Sequence, residues 1–487
     1  MSDKFLEDHR LAERTYRLCG PLTPASIRDM SVRAGELVAR LLAYDKIKND
    51  SNVLIVGAGV AGVSCAAALL TLSQCRVTLN DKIKSPLSLQ TAVRHRHVTP
   101  HGFDWPYYFY RRNRYPLLGS SAMPWNGGAA DDVAKQFNAR FGLLVGQQPR
   151  GRFHSVMANP IVHWTYDPRQ GWDVRFQSLP ESGAPIRQQF THLVLCCGIG
   201  AENDTLGGYQ GYRFWDFEDP FLSTGAMALD SNDHVLISGG GDGGLNDFVR
   251  LLTGESTPEN LLPSLEALIG AKFKARYQAI QALAHRHFLL SLNPEIDRRI
   301  NVYAFDAHQR LARRLYHTNA MKDALSRLLL VNRPSVQLIV RQQSFGRCYT
   351  PNAMLASLLA RAVAREGNGD RPPLVFGSEI LDVKSNPSHP FPASAADWAA
   401  RSVEVTLAPT PAATADQLPE VKYLLQDQVA ELGVAGQRSY RCIFVRTGPQ
   451  DNLPSVLMEI QQAIQRAGAD PILQEVRHAV PQSPIRR

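Results

Sequence analysis

Long apolar runs are missing from this 487-residue chain. No segment approaches the ~18 consecutive apolar residues that a membrane-spanning helix needs, so no membrane partner is expected. The first eight residues, Met1-Ser-Asp-Lys-Phe-Leu-Glu-Asp8, are rich in charge and hold no signal-peptide core. Cysteine is scarce: there are seven, an odd number, and no Cys-x-x-Cys or Cys/His ligand spacing occurs. That leaves a metal site and a dithiol redox pair unsupported. Several cysteines lie in apolar runs, which fits reduced, buried thiols in a cytoplasmic protein. Charge of one sign is also modest, with 53 Lys and Arg against 45 Asp and Glu, a net +8 without any long basic run. No nucleic-acid partner is therefore expected.

What is present is ordinary globular composition, 44% hydrophobic and 20% charged, with 35 Gly and 31 Pro. Disordered, collagen-like and coiled-coil chains are excluded by it. At ~100–200 residues per domain the length predicts roughly two to four domains.

Residues 1–50 read as a helical arm, because Ile27, Met30, Val32, Leu37, Val38, Leu41 and Leu42 recur at helical spacing. A turn at Lys48 to Ser51 then gives way to Val53-Leu-Ile-Val56, short, apolar and ended by glycine, the pattern of a buried parallel strand. The same signature returns at Val77–Leu79, Leu193–Leu195, Val235–Ile237, Val302–Phe305, Leu338–Val340 and Cys442–Val445. Helical stretches intervene at Val63–Leu72, Asn246–Leu252 and Leu262–His287. The alternation predicts an α/β fold: two Rossmann-like, doubly wound parallel-sheet domains. Alternating segments at Phe153–Gln177, Leu374–Lys384 and Ser402–Leu407 predict a small antiparallel addition to each. The expected division is 1–50 arm, 51–232 first domain, 233–450 second domain with a helical insertion, and 451–487 helical tail.

The strongest motif is Val53-Leu-Ile-Val-Gly57-Ala-Gly59-Val-Ala61-Gly62, a G-x-G-x-x-G that follows a strand and opens a helix. Gly57 permits the tight turn, Gly59 lets backbone approach a pyrophosphate, and Gly62 lets helix and strand pack closely. The helix N-terminus, with Ala61 in its first turn, then offers free N–H groups to phosphate. A second strand ends in Asn80-Asp81, and Asp81 stands where an acid binds a ribose hydroxyl; Asn80 is the neighbouring candidate. A second cradle reads His234-Val-Leu-Ile-Ser-Gly239-Gly-Gly241-Asp242-Gly-Gly244. Its acid is less evident. Asp306 ends the expected strand at Val302–Phe305 and would favour NAD over NADP, with His308 and Arg310 leaving that open. Asp242, inside the loop, would repel a pyrophosphate, so a structural loop stands as the alternative there.

With these two fingerprints the chain resembles the flavoproteins that carry two dinucleotide-binding domains, the glutathione-reductase and flavin-monooxygenase-like group. Thr191-His-Leu-Val-Leu-Cys-Cys197-Gly198 and Cys442-Ile-Phe-Val-Arg446-Thr447-Gly448-Pro449 are similar to the strands that end each domain in that group. The resemblance covers roughly residues 50–450. It implies FAD at Gly57, Gly59, Ala61, Gly62, Asp81 and Gly198. It further implies NAD(P)H at Gly239, Gly241 and Gly244, and an oxidoreductase in which NAD(P)H reduces bound flavin, which then reduces oxygen or a small organic substrate. Some hallmarks are missing: there is no catalytic Cys pair, no Phe-x-Gly-x-x-x-His and no late Gly-Asp element. A regulatory dinucleotide sensor that keeps the cradles is the alternative, and no catalytic residue is assigned.

On the substrate side, Arg94 and Arg96 are candidate phosphate ligands and His97 and His101 candidate proton carriers. Trp105, Tyr107, Tyr108 and Tyr110 wall a flavin or substrate, or else form a packed loop. Arg111, Arg112 and Arg114 add local basicity there. Arg347 and Tyr349 are weaker candidates beside a helix expected to be capped by Thr350 with Pro351 at its first position. A homo-oligomer is compatible with all of this.

Overall fold

The computed structural model describes residues 3–20, 26–100, 123–177, 185–200, 202–211, 214–215, 229–255, 258–290, 294–368, 370–386, 401–448 and 455–469. Two parallel sheets organise them. The first runs in the order Arg10–Ala12, Thr15–Arg17, His192–Leu195, Asn52–Val56, Arg76–Asp81, Phe153–Met157, and only the outermost pair at the N-terminal edge is antiparallel. The second runs Ala430–Leu432, Leu374–Phe376, Ser335–Val340, His234–Ser238, Cys442–Val445, all parallel. Their central strands are buried and mainly apolar because both faces are covered. Gln337 in Ser335–Val340 is the polar exception inside a strand, its amide donating to the Pro372 carbonyl at 2.8 Å.

The two sheets share one plan. In the first, the glycine-loop strand lies between the strand carrying Asp81 and the strand ending at Leu195; in the second, His234–Ser238 lies between Ser335–Val340 and Cys442–Val445. Each unit carries its antiparallel addition. Ile161–Asp167, Gly171–Phe176 and Ile186–Phe190 form one, and Ser378–Asn386, Ser402–Pro409 and Gly436–Tyr440 the other.

Both flanking segments turn out to build the first unit. Helix Ile27–Ala43 forms as expected, started by Ser26, whose Oγ accepts from the Asp29 N–H at 3.1 Å. Ahead of it, Arg10–Ala12 and Thr15–Arg17 are strands, and the second of these pairs in parallel with His192–Leu195. At the other end, helix Ser455–Arg466 buries Leu457, Ile460 and Ile464 in the core that also holds Leu11, Trp164, Trp172 and Leu195. Each such aliphatic side chain contributes roughly 1.5–3 kcal/mol. The Trp164 indole N–H donates to Glu459 at 3.2 Å and pins the helix there. The helix thus closes a core that the antiparallel addition already builds on that face of the sheet, through Trp164, Trp172 and Phe176.

One expected strand is not a strand. Val302–Phe305 lies inside helix Pro294–Tyr316, part of an insertion with helices Pro258–Glu266, Ala271–Leu290 and Asn319–Leu328. The buried positions Ile300, Ala304, Ala307, Leu311 and Leu315 recur every three to four residues, a helical stripe that overrides the local β-branched and aromatic run. The single helical stretch expected over Leu262–His287 is two helices that break near Gly270. Among the described residues no helix is long and apolar enough to cross a membrane.

Candidate functional site

The first cradle joins strand Asn52–Val56 to helix Val60–Leu72. Gly57 has φ +102°, and a Cβ there would sit 2.3 Å from the Cys196 carbonyl oxygen. Gly62 is as constrained, since its Cβ would lie 1.8 Å from the Gly57 oxygen. Gly59 differs: a Cβ would meet nothing within 4 Å. So Gly57 and Gly62 are glycines because protein surrounds them, while Gly59 faces open space at the start of a helix without a side-chain cap. That combination leaves backbone N–H groups available to an anion. Ala61 is buried in the same first turn, and Gly198, at φ +86°, is exposed just beyond strand His192–Leu195.

Asp81 and Asn80 separate cleanly. The Asn80 side chain is buried, its amide donating to the Val156 and Asn159 carbonyls at 2.8 Å each. Asp81 stands at the rim. Its Oδ2 accepts from the Ala58 N–H at 2.7 Å and its Oδ1 from the Ile83 N–H at 2.9 Å. The carboxylate thus shapes the glycine loop and keeps acceptor capacity for a hydroxyl.

The second cradle repeats the geometry. Gly239 has φ +123° and its Cβ would lie 2.1 Å from the Arg446 oxygen; that of Gly244 would lie 1.9 Å from the Gly239 oxygen. At Gly241, the first-turn glycine, the nearest atom to a Cβ is the Arg347 oxygen at 3.8 Å. Asp242 does not point at a phosphate position. Its Oδ1 accepts from the Tyr349 N–H at 2.7 Å and from the Asn352 amide at 2.8 Å. Burial, with Asp29 nearby, outweighs the Asn352 hydrogen bond and the Arg28 charge and pushes its carboxyl up to about 8. The side chain is turned toward Tyr349 and Asn352 with its pKa raised, which weakens the expected repulsion of a pyrophosphate.

Asp306 is not the acid of this cradle, for it lies in helix Pro294–Tyr316, with Arg310 and Glu420 as its electrostatic neighbours. Comparing the sheets locates the corresponding position. Gly57 N–H donates to the Asn80 oxygen (2.8 Å) and Gly239 N–H to the Ile339 oxygen (2.9 Å), so Val340 stands where Asp81 stands. The next residue, Arg341, is exposed and paired with Glu379 at 2.9 Å. His308 is a buried helix residue beside Tyr277.

Other candidates fall into structural roles. Arg96 is buried, its Nη1 2.5 Å from Asp247 of the second cradle helix and its Nε donating to the Phe214 carbonyl at 2.8 Å. It therefore joins the two units and holds no phosphate. Arg94 is 88% exposed and lies 3.6 Å from Asp131. His97 sits in the short strand His97–Val98, with its pKa lowered by burial. Trp125 is buried against Phe137. His101, Trp105, the neighbouring tyrosines, Arg111, Arg112 and Arg114 lie outside the described residues. The helix expected to be capped by Thr350 starts one residue earlier, at Thr350 itself, with Tyr349 at the cap position and Pro351 in the first turn. The Tyr349 hydroxyl reaches Ser26 at 2.8 Å, and the Arg28 guanidinium lies 5.5 Å from the ring centre.

What the sequence had not signalled is the junction itself. Asp247 lies between Arg96 and Arg446, the latter at 2.7 Å, and the Arg96 guanidinium stacks 4.0 Å from the Phe214 ring centre. Burial raises the Asp247 carboxyl, but the two guanidiniums outweigh it and hold the pKa at about 2. Among the described residues no group of three or more His, Cys, Asp or Glu is arranged for a metal ion.

No family model matches the chain, and no curated protein matches it. Solved structures do. Thioredoxin reductase of T. acidophilum is 11% identical, with 82% of this chain and 78% of that one covered at a TM-score of 0.35. The cadaverine monooxygenase of desferrioxamine biosynthesis from Erwinia amylovora, solved bound to FAD, is 13% identical over 85% and 81% at 0.37. The reduced form of ornithine hydroxylase from Pseudomonas aeruginosa is 13% identical over 83% of each chain at 0.33.

Proposed function

We propose that the protein is an FAD-dependent oxidoreductase that takes reducing equivalents from NADPH and delivers them to oxygen or a small organic substrate. The observation that carries the reading is the pair of matched cradles, each with two glycines enforced by protein contacts and a third at the phosphate-facing position. In the first, Gly59 leaves room for a pyrophosphate on the helix N-terminus, Asp81 accepts a ribose hydroxyl, and Gly198 lines the rim. In the second, Gly239, Gly241 and Gly244 do the same for a nicotinamide dinucleotide. When bound, the flavin supplies the two-electron chemistry, and the chain supplies position and electrostatics. Val340 offers no acceptor for a 2′-hydroxyl, whereas Arg341 beside it suits a 2′-phosphate, which favours NADPH over NADH. The regulatory-sensor alternative drew on Asp242 and on the missing catalytic motifs; the turn of the Asp242 side chain toward Tyr349 and Asn352 weakens the first of these grounds and leaves the second.

The test is spectroscopic. The purified protein is expected to show flavin absorption, or to acquire it with added FAD, and to bleach anaerobically on adding NADPH. A preparation that stays colourless with FAD sinks the reading, and bound flavin that neither nucleotide bleaches leaves a sensor. Gly59→Leu separates the cradle from the fold. Its side chain enters open space, so thermal stability should hold while flavin is lost, whereas Gly62→Ala should unfold the cradle.

A further inference from the structure

The two cradles differ in where their acid comes from. In the first unit a carboxylate stands at the end of the neighbouring strand, Arg76–Asp81. In the second that position is Val340, and a carboxylate arrives from beyond the next strand along. Strand Leu374–Phe376 pairs in parallel with Ser335–Val340, with Phe376 opposite Val340. The chain then turns at Gly377, φ +62°, whose N–H donates to the Gln342 oxygen at 3.1 Å. Glu379 follows, near the start of strand Ser378–Asn386, and its carboxylate lies 2.9 Å from the Arg341 guanidinium.

The backbone around this pair is tied down. The Thr410 hydroxyl donates to the Arg341 oxygen at 2.8 Å, and the Thr410 N–H donates to the Gly377 oxygen, also at 2.8 Å. What stays adjustable is the ion pair itself. Its guanidinium is 59% exposed and its carboxylate 33%. Water competes well for both members of so open a pair, and a stronger anion can take the carboxylate's place. A 2′-phosphate is such an anion, with about 1.5 to 2 negative charges and three acceptor oxygens. A 2′-hydroxyl carries no charge to draw Arg341 away, and leaves the pair as it is.

We propose that Glu379 is a specificity-determining residue of the second cradle, holding Arg341 beside a 2′-hydroxyl and opposing a nucleotide that carries a 2′-phosphate. This rests on the reading of Arg341 as the 2′-phosphate residue. Glu379 acts through Arg341 in two ways of opposite sign. Keeping the guanidinium in place favours the phosphate, whereas occupying it and adding a like charge disfavour the phosphate. The first contribution is small, because an exposed pair orders its members weakly. The second grows with the charge on the phosphate, so opposition wins. The preference for NADPH is thereby held below what Arg341 alone would give.

Direct binding tests this without turnover. NADPH and NADH are each titrated calorimetrically into the purified full-length chain at low salt. Glu379→Gln keeps the shape and removes the charge. It should tighten NADPH about tenfold, which is about 1.4 kcal/mol, and leave NADH within about twofold. At an ionic strength of about 1 M the gain should shrink, because exposed charges are screened there. A merely structural role would move both nucleotides together and ignore salt. If the parent binds NADPH and a folded Glu379→Gln binds it no more tightly, the proposal fails and the cradle reading stands. An equal gain for NADH also overturns it. A parent that binds neither nucleotide takes the cradle reading down as well. Should Glu379→Gln melt below the parent, Glu379→Ser is held to the same two titrations.

Discussion

Asp242 and Arg341 show how one side chain's surroundings set what a glycine loop can hold. Asp242 keeps its proton because burial outweighs the help it receives from Asn352 and Arg28. Its folded pKa, about 8, is above the unfolded value, so its contribution to stability is full below about pH 4 and is lost as pH rises through about 8. Asp242→Asn, which keeps an acceptor at Oδ1, removes that drain. Relative to the parent, its stability should gain about 1.4 kcal/mol per pH unit between pH 5 and 8 and level off above, as read by thermal melts. At Arg341 the test is kinetic. A charge-assisted hydrogen bond contributes about 1.5–3 kcal/mol, so Arg341→Ala should raise KM for NADPH roughly 10- to 100-fold and leave KM for NADH nearly unchanged. Equal effects on the two nucleotides would remove Arg341 from the 2′-phosphate site. The glycines of both loops were legible from sequence because their need is local: a turn, an approach, a close crossing. The orientation of Asp242 was not, since Tyr349 and Asn352, which determine it, arrive more than a hundred residues later.

Among the elements, helix Asp242–Thr253 carries both the second cradle and the bond to the first unit, through Asp247. Removing that carboxylate strands Arg96 and Arg446 in a buried site. Asp247→Ala should cost about 3–5 kcal/mol, visible as a lowered midpoint in urea unfolding. If the loss falls below about 1 kcal/mol, the guanidiniums have other means of compensation. Alternating strands and helices made the paired sheets readable, and period-two patterning marked part of each antiparallel addition. Phe153–Met157 and Leu374–Phe376, expected there, are strands of the parallel sheets, and Ile186–Phe190 and Gly436–Tyr440 were not foreseen. The insertion misled at Val302–Phe305, where four residues of strand-like composition sit on a helical stripe visible only over some sixteen residues from Ile300 to Leu315. Arg10–Ala12 and Thr15–Arg17 were unreadable for a different reason. Three-residue strands carry no periodicity, and only the neighbouring strand makes them what they are.

At the scale of the molecule, three histidines among the described residues are held neutral by burial: His9 and His308 at about 3 and His192 at about 4. Each has a folded pKa below the unfolded value near 6.5, so the unfolded chain takes up the proton first. Stability should therefore fall as pH drops below about 6.5, by about 1.4 kcal/mol per pH unit for each histidine, partly offset by Asp242, until the folded values are reached. Melting temperatures from pH 7.5 down to 5 check this, and a flat profile would contradict the burial of all three. The return of helix Ser455–Arg466 to the first sheet has a consequence in time. During synthesis, Thr15–Arg17 waits for His192–Leu195 to leave the ribosome, and the core shared by the sheet and its antiparallel addition waits for residue 455 onward to be closed. The sheet strands of the second unit, from His234 to Val445, emerge as one uninterrupted stretch in between. At ~5–20 residues per second that stretch takes roughly tens of seconds, in which the later unit can finish while the earlier one stays open. The part of the protein made first is thus the part completed last.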